Sequence, residues 1–228
     1  MKITFLGHSC FLIESMKKTI IIDPFLSSSN LSKTELQNLK VDAVIITHGH
    51  ADHIGDAVTI AKNSTCPIVS NFEVAMFLSK ENIEVHPMNI GGTHKFHWGL
   101  LKFTPAFHSS SIEVNEGEFI YGGMPAGILL TMNGKTFYHS GDTGLFYDMK
   151  VIGENNNINV AALPIGDNFT LGIDDAVIAA KWLNADIYIP MHYNTFPLIK
   201  QDPHIFINKL ENEGLKGIVV QLNDSIFI

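Results

Sequence analysis

Between Ile46 and Asp56 the chain reads ITHGHADHIGD. Four of the six positions from His48 to His53 carry groups that ligate metals, namely His48, His50, Asp52 and His53. Neutral imidazole together with carboxylate suits Zn(II), Mn(II) or Fe(II), and a donor set without thiolate fits a catalytic site better than a closed structural one. A lone histidine here would ordinarily be loop decoration, whereas this density points to a bound cation. One loop cannot fill two coordination spheres. Three further candidates each follow an apolar run: His108 after LLKFTPAF, Asp142 in YHSGDTG and His192 in IYIPMHYNTFP. Singly, any of them could be an ordinary loop residue; as a set they complete a site.

Such donors need elements that aim them at one point. The run Ala43–Ile46 reads as a buried strand, so the histidine-rich loop lies at the rim of a sheet, where loops present polar groups into a crevice. Gly49 and Ala51 are small enough for the backbone to turn tightly there. Further strands are expected at Ile3–Leu6, Phe11–Ile13, Thr19–Ile22, Ile68–Val69, Leu101–Thr104, Gly127–Met132, Lys135–Tyr138, Val160–Leu163, Ile187–Ile189, Ile218–Val220 and Ser225–Ile228. Met132-Asn133-Gly134-Lys135 carries the Asn-Gly pair of a tight hairpin turn, and Ser15-Met16-Lys17-Lys18 is a polar link between the second and third strands. Helices are expected at Ser32–Leu39, Ile54–Lys62, Glu73–Lys80, Ile173–Leu183 and Pro203–Asn212. A strand-rich start followed by strand–helix alternation in both halves implies the α/β class, as a four-layer αββα sandwich of two mixed sheets flanked by helices. No low-complexity linker divides the chain, so residues 1–228 are expected to form one domain.

The chain has 228 residues, 46% hydrophobic and 17% charged, which describes a soluble globular protein with a large core. No stretch approaches the ~18 continuous apolar residues of a membrane span. Met1 to Leu6 reads as a first strand rather than a signal peptide, because Gly7-His8-Ser9 interrupts the apolar run. Cys10 and Cys66 are the only cysteines, too few for a disulfide framework, and a reducing cytosol is the expected location. The net charge is −8 and all 15 basic residues are lysine. Without a guanidinium fork or a basic surface, nucleic acid is not an expected partner, which leaves a small-molecule substrate. A homo-oligomer is compatible with everything above.

The string His48-x-His50-x-Asp52-His53, with His108, Asp142 and His192 at later strand ends, resembles the metallo-β-lactamase superfamily of binuclear metal hydrolases. GHSCFLI, SGDTGLF, LPIGDNFTLG and PMHYNTFP look most like its small metal-dependent hydrolases near L-ascorbate-6-phosphate lactonase and N-acyl-phosphatidylethanolamine phospholipase D. The resemblance covers essentially the whole chain and implies two face-to-face mixed sheets with helices outside. It also partitions the ligands: His48, His50 and His108 on one divalent ion, Asp52, His53 and His192 on the other, and Asp142 between them. Zinc is the expected metal, with manganese or iron as alternatives. Many thioesterases and lactamases of the superfamily carry Pro-Gly-His at the third histidine, whereas Ala106-Phe107-His108 stands here, which disfavours those activities.

Two divalent ions sharing a water lower its pKa toward ~7, and the resulting bridging hydroxide would attack an ester, lactone, amide or phosphoester. Asp52, a ligand beside that water, could also orient it or pass a proton to the leaving group. Asp23, in IIIDPF, either braces the metal loop, as an aspartate does in this superfamily, or is a turn residue before Pro24. His8 either faces the crevice, which is favoured, or caps its strand. His139 is expected to be structural, and His86, His94, His97 and His204 to lie on the surface. Asn168, Tyr193 and Thr195 are candidates for substrate contact, and Gly122 to Gly127 is either a flap or an irregular strand entry. The alternatives to a hydrolase are a mono-iron dioxygenase or other redox member of the same fold, and then a nuclease.

Overall fold

Within Ile20-Ile21-Ile22, the first and third side chains face one layer of the molecule and the second faces another, because successive strand residues point to opposite faces. Ile20 and Ile22 join a core that also takes Ala43 and Ile45 from the next strand, while Ile21, Val44 and Ile46 join a second core. The same alternation recurs in the other half. Ile128, Phe137, Val160 and Ile189 enter the first core, and Leu129, Tyr138, Ala161 and Tyr188 enter a third. Continuous apolar runs are therefore the signature of strands buried on both faces.

A computed structural model describes residues 1–26 and 38–228. One sheet holds β1 (Lys2–Gly7), β2 (Cys10–Ser15), β3 (Lys18–Ile22), β4 (Ala43–Ile45), β5 (Ile68–Asn71) and β6 (Val85–Met88), with β15 (Ser225–Phe227) beside β1. The other runs in the order β14 (Ile187–Met191), β13 (Val160–Pro164), β12 (Lys135–His139), β11 (Ala126–Met132), β8 (Gly99–Pro105) and β7 (Thr93–Phe96). A separate hairpin pairs β9 (Ser111–Asn115) with β10 (Glu118–Tyr121). The helices are α1 (Ala51–Ile54), α2 (Ala57–Ser64), α3 (Phe72–Leu78), α4 (Met149–Asn155), α5 (Ile173–Leu183) and α6 (Pro203–Asn212). The first core fills the space between the sheets. The second lies under α2 and α3, and the third under α4, α5 and α6. That is the αββα order of layers.

Strand direction explains why distant residues meet. β3, β4, β5 and β6 are parallel, and β1, two antiparallel steps from β3, runs the same way. In the second sheet β12, β13 and β14 are parallel, and β8, two reversals from β12, shares their direction. All these strands end at one rim. There the sheets are tied by His192 N–H donating to His8 O at 2.8 Å and Ala126 N–H donating to Thr47 O at 3.1 Å.

Most expected elements are present, with α5 and α6 at the expected bounds. The helix expected over Ser32–Leu39 lies outside the described residues save its last two. The helix expected at Ile54–Lys62 is two pieces, α1 and α2. Gly55 breaks it, with φ +39°, and a Cβ there would sit 2.5 Å from Pro24 O. Ile218–Val220 is not a strand. Only Ile218 N–H reaches the sheet, donating to Tyr188 O at 2.9 Å. Elements not anticipated are β6, β7, β9, β10 and α4. The Asn133-Gly134 turn takes positive φ at both residues, as expected, and so does Met16-Lys17. No helix among the described residues is long and apolar enough to cross a membrane.

Candidate metal centre

At this rim His8 after β1, Asp23 after β3 and His192 after β14 take positive φ, at 52°, 45° and 53°. Side chains with a Cβ adopt this conformation at a cost of ~1–2 kcal/mol, and such strain concentrates at functional sites. Here it turns the chain sharply at the rim. His48 and His50 precede α1, which itself carries Asp52 and the buried His53. Gly49 lets this loop press on its neighbours, since a Cβ there would lie 2.9 Å from Ile112 Cγ1.

The seven residues named from the sequence as ligands converge. Donor atoms lie within 4.8 Å of one another in three groups: His48, His50 and His108; His8, Asp52, His53 and His192; and His48, His53 and Asp142. Asp142 Oδ2 stands 2.9 Å from His192 Nε2, 3.4 Å from His53 Nε2 and 3.7 Å from His108 Nε2. His48 Nε2 and His50 Nδ1 face each other at 2.9 Å. His48, His53, Asp142 and His192 are buried, while Asp52, His50 and His108 are partly open.

Asp23 is fully buried and braces this loop. Its Oδ1 accepts Thr47 N–H at 2.8 Å, and its Oδ2 lies 2.7 Å from both Thr47 Oγ1 and His53 Nδ1. An ionised carboxylate only accepts, so Nδ1 of His53 is the donor to Asp23, which leaves Nε2 as the atom that faces the centre. Thr47 Oγ1 spends its proton on Asp23 and so accepts from His48 Nδ1, 2.9 Å away, which fixes that tautomer too. His8 faces the crevice, with Nε2 3.1 Å from Asp52 Oδ2 and Nδ1 2.8 Å from Thr195 Oγ1.

Charge follows burial. Desolvation holds His48 well below the ordinary histidine range, and His50 and His108 are lowered by the same cause first. Burial alone would depress His53 too, but with no cation present Asp142 and Asp23 outweigh it and hold its imidazole well above that range, so a bound ion would take the place of the Nε2 proton. Asp142 mirrors this: burial opposes its charge, and His53 and His192 hold it well below the usual carboxylate range. Asp52 is likewise lowered, by His8 and His53 against burial. His53 Nε2 and Asp142 Oδ1 are buried without a hydrogen-bond partner in the structure. Buried polar atoms are rarely left so, and an imidazole nitrogen and a carboxylate oxygen converging in this way suit a cation.

Other residues hold the site without having been singled out in the sequence. Ser110 Oγ accepts Gly49 N–H at 3.0 Å and donates to Gly122 O at 2.7 Å. Asn71 Nδ2 donates to Gly122 O and Met124 O, at 2.8 and 2.9 Å, so this glycine-rich stretch is a pinned strand entry rather than a flap. His139 is structural, as expected. Its Nε2 donates to Ser9 O at 2.8 Å and its Nδ1 accepts Gly141 N–H at 3.1 Å, which sets the turn that carries Asp142. Among the substrate candidates, Thr195 and Tyr193 line a cleft beside His8, whereas Asn168 is exposed on the turn after β13 and does not line it.

The model of the beta-lactamase superfamily domain matches residues 2–192. A UPF0173 metal-dependent hydrolase of Bacillus mycoides is 53% identical, over 99% of both chains. Igni18, a metallo hydrolase of Ignicoccus hospitalis, superposes with a TM-score of 0.89 at 38% identity, covering 99% of this chain and 97% of that one. A putative metal-dependent hydrolase of Parabacteroides distasonis shares the fold, with a TM-score of 0.76 at 22% identity, over 96% and 92% of the two chains. The chain therefore belongs to the metallo-β-lactamase superfamily, among its metal-dependent hydrolases.

Proposed function

We propose that the protein is a binuclear metal-dependent hydrolase that cleaves an ester, lactone, amide or phosphoester of a small substrate. His48, His50 and His108 would hold one ion, Asp52, His53 and His192 the other, and Asp142 both. The position of Asp142 Oδ2 within 3.7 Å of three imidazole nitrogens carries this reading. Zinc fits the nitrogen-rich, thiolate-free donor set best, with manganese or iron as alternatives.

Divalent ions bound there would supply an acidified water and polarise the scissile carbonyl or phosphoryl group. The chain's own residues do the rest. Asp23 and Thr47 keep His53 and His48 in the tautomers that leave Nε2 free. His8 holds Oδ2 of Asp52, so the carboxylate keeps a fixed orientation while remaining partly open, and Asp52 is the group that takes and returns the reacting proton. The free, buried cysteines suit a reducing compartment, and a cytosolic location is part of the proposal.

The test is turnover on a panel of esters, lactones and phosphodiesters by metal-reconstituted wild type, His50→Ala and Asp142→Ala. Both variants should lose metal and activity together. Full turnover by either one would refute the assignment.

A further inference from the structure

Beside the metal centre lies a cleft of about 520 Å³, which opens next to His8. Within its walls Phe25 and Phe196 both stand edge-on to the His8 ring, each at 5.6 Å, and face each other at 6.3 Å. Val220 and Leu222 extend the apolar lining. His8 joins this cleft to the chemistry, because its Nε2 is 3.1 Å from Asp52 Oδ2 while its Nδ1 is 2.8 Å from Thr195 Oγ1 on the cleft side. Among the described residues that line it there is no lysine, aspartate or glutamate. Lys200 lies instead in a separate depression on the other side of the 194–196 loop.

A phosphate or other dianionic group binds where cations or convergent backbone N–H groups neutralise it. The described residues of this cleft offer aromatic and aliphatic side chains beside His8, Asn194, Thr195 and Gln221, a lining with no permanently charged group that suits an uncharged ligand portion with an apolar part. We infer that the cleft is the substrate subsite, and that it takes the apolar, uncharged portion of a carboxylic ester, lactone or amide in preference to a phosphorylated one. The inference rests on the hydrolase reading above and narrows its substrate class. Thr195, whose hydroxyl is fixed by His8, is the polar contact at the cleft wall, and Phe196 is the aromatic wall most open to substitution because it lies on a loop and is partly exposed.

Two ester series test it on the zinc-loaded enzyme: p-nitrophenyl acetate, butyrate and hexanoate, and methyl, butyl and hexyl acetate, with bis(p-nitrophenyl) phosphate as the anionic comparison. Along the series whose growing chain enters the cleft, KM should fall by up to about fourfold per methylene. Phe196→Ala should abolish most of that gain, and Phe196→Leu should restore much of it. Unchanged KM along both series, an unaffected Phe196→Ala, or a preference for the phosphodiester would overturn the subsite while leaving the hydrolase intact. Absence of turnover on every substrate, with metal bound, would overturn both.

Discussion

Replacing Asp23 by asparagine tests the brace behind the metal loop with the least disturbance. Asparagine has nearly the same shape and tolerates the positive φ of 45° that this position requires. Its amide can keep one good contact only. If the carbonyl stays on Thr47 N–H, the amide N–H₂ replaces Oδ2, which now serves Thr47 Oγ1 and His53 Nδ1. It would then donate to His53 Nδ1 and drive the proton to Nε2, where the metal must bind. The opposite flip sets an N–H₂ against Thr47 N–H, two donors face to face. Either way a charge-assisted hydrogen bond of ~1.5–3 kcal/mol is lost. At ~1.4 kcal/mol per decade this is a fall of about ten- to a hundredfold in affinity for one ion. Competition with a chromophoric zinc chelator measures it, and a thermal melt of the metal-free protein confirms that the fold survives. Affinity unchanged within about twofold would refute the tautomer argument.

His139→Phe should destabilise the metal-free protein by about 2–4 kcal/mol, because Ser9 O and Gly141 N–H both lose a buried partner; a urea melt showing under about 1 kcal/mol would count against its role. Asp42 gives a pH signature away from the site. Burial opposes its charge, but the hydrogen bonds from Lys18 and Thr19 N–H outweigh it and lower its pKa. A folded-state pKa below the unfolded one contributes stability above the ordinary carboxylate range that disappears as pH falls through the folded value. Wild type should therefore exceed Asp42→Asn by no more than about 1 kcal/mol near pH 7, since the pair is only partly buried and solvent screens it. The difference should shrink as the pH falls below the ordinary carboxylate range and vanish below the folded value, and one that did not shrink on acidification would contradict the assignment.

Much of the centre was readable because the donors are short-range in sequence or sit at strand ends. His48 to His53 follow directly on β4, and the parallel directions of β3, β4, β12 and β14 bring Asp23, Asp142 and His192 to the same rim. The alternatives left open for Asp23 and His8 turn on contacts between residues 24 to 187 positions apart, which no local pattern encodes. The strands that escaped notice are edge or hairpin strands. Pro87 interrupts β6, and β7 and β10 are polar or exposed enough to lack alternation. α4 buries only Met149 and Ile152, too little for a helical stripe. Nothing local marks Gly55 as the point where Pro24 presses on the chain and breaks the helix. The cleft was invisible for a similar reason, since its walls come from segments around residues 5, 25, 195 and 221.

Metal analysis by mass spectrometry of wild type and Asp142→Ala, after zinc loading and exhaustive dialysis, addresses the shared centre most directly. If Asp142 stands between two ions, wild type retains about two zinc per chain and the variant about one or fewer. A wild type that keeps no metal, a variant that keeps both ions, or a single iron accompanied by oxygen uptake would contradict a binuclear hydrolase.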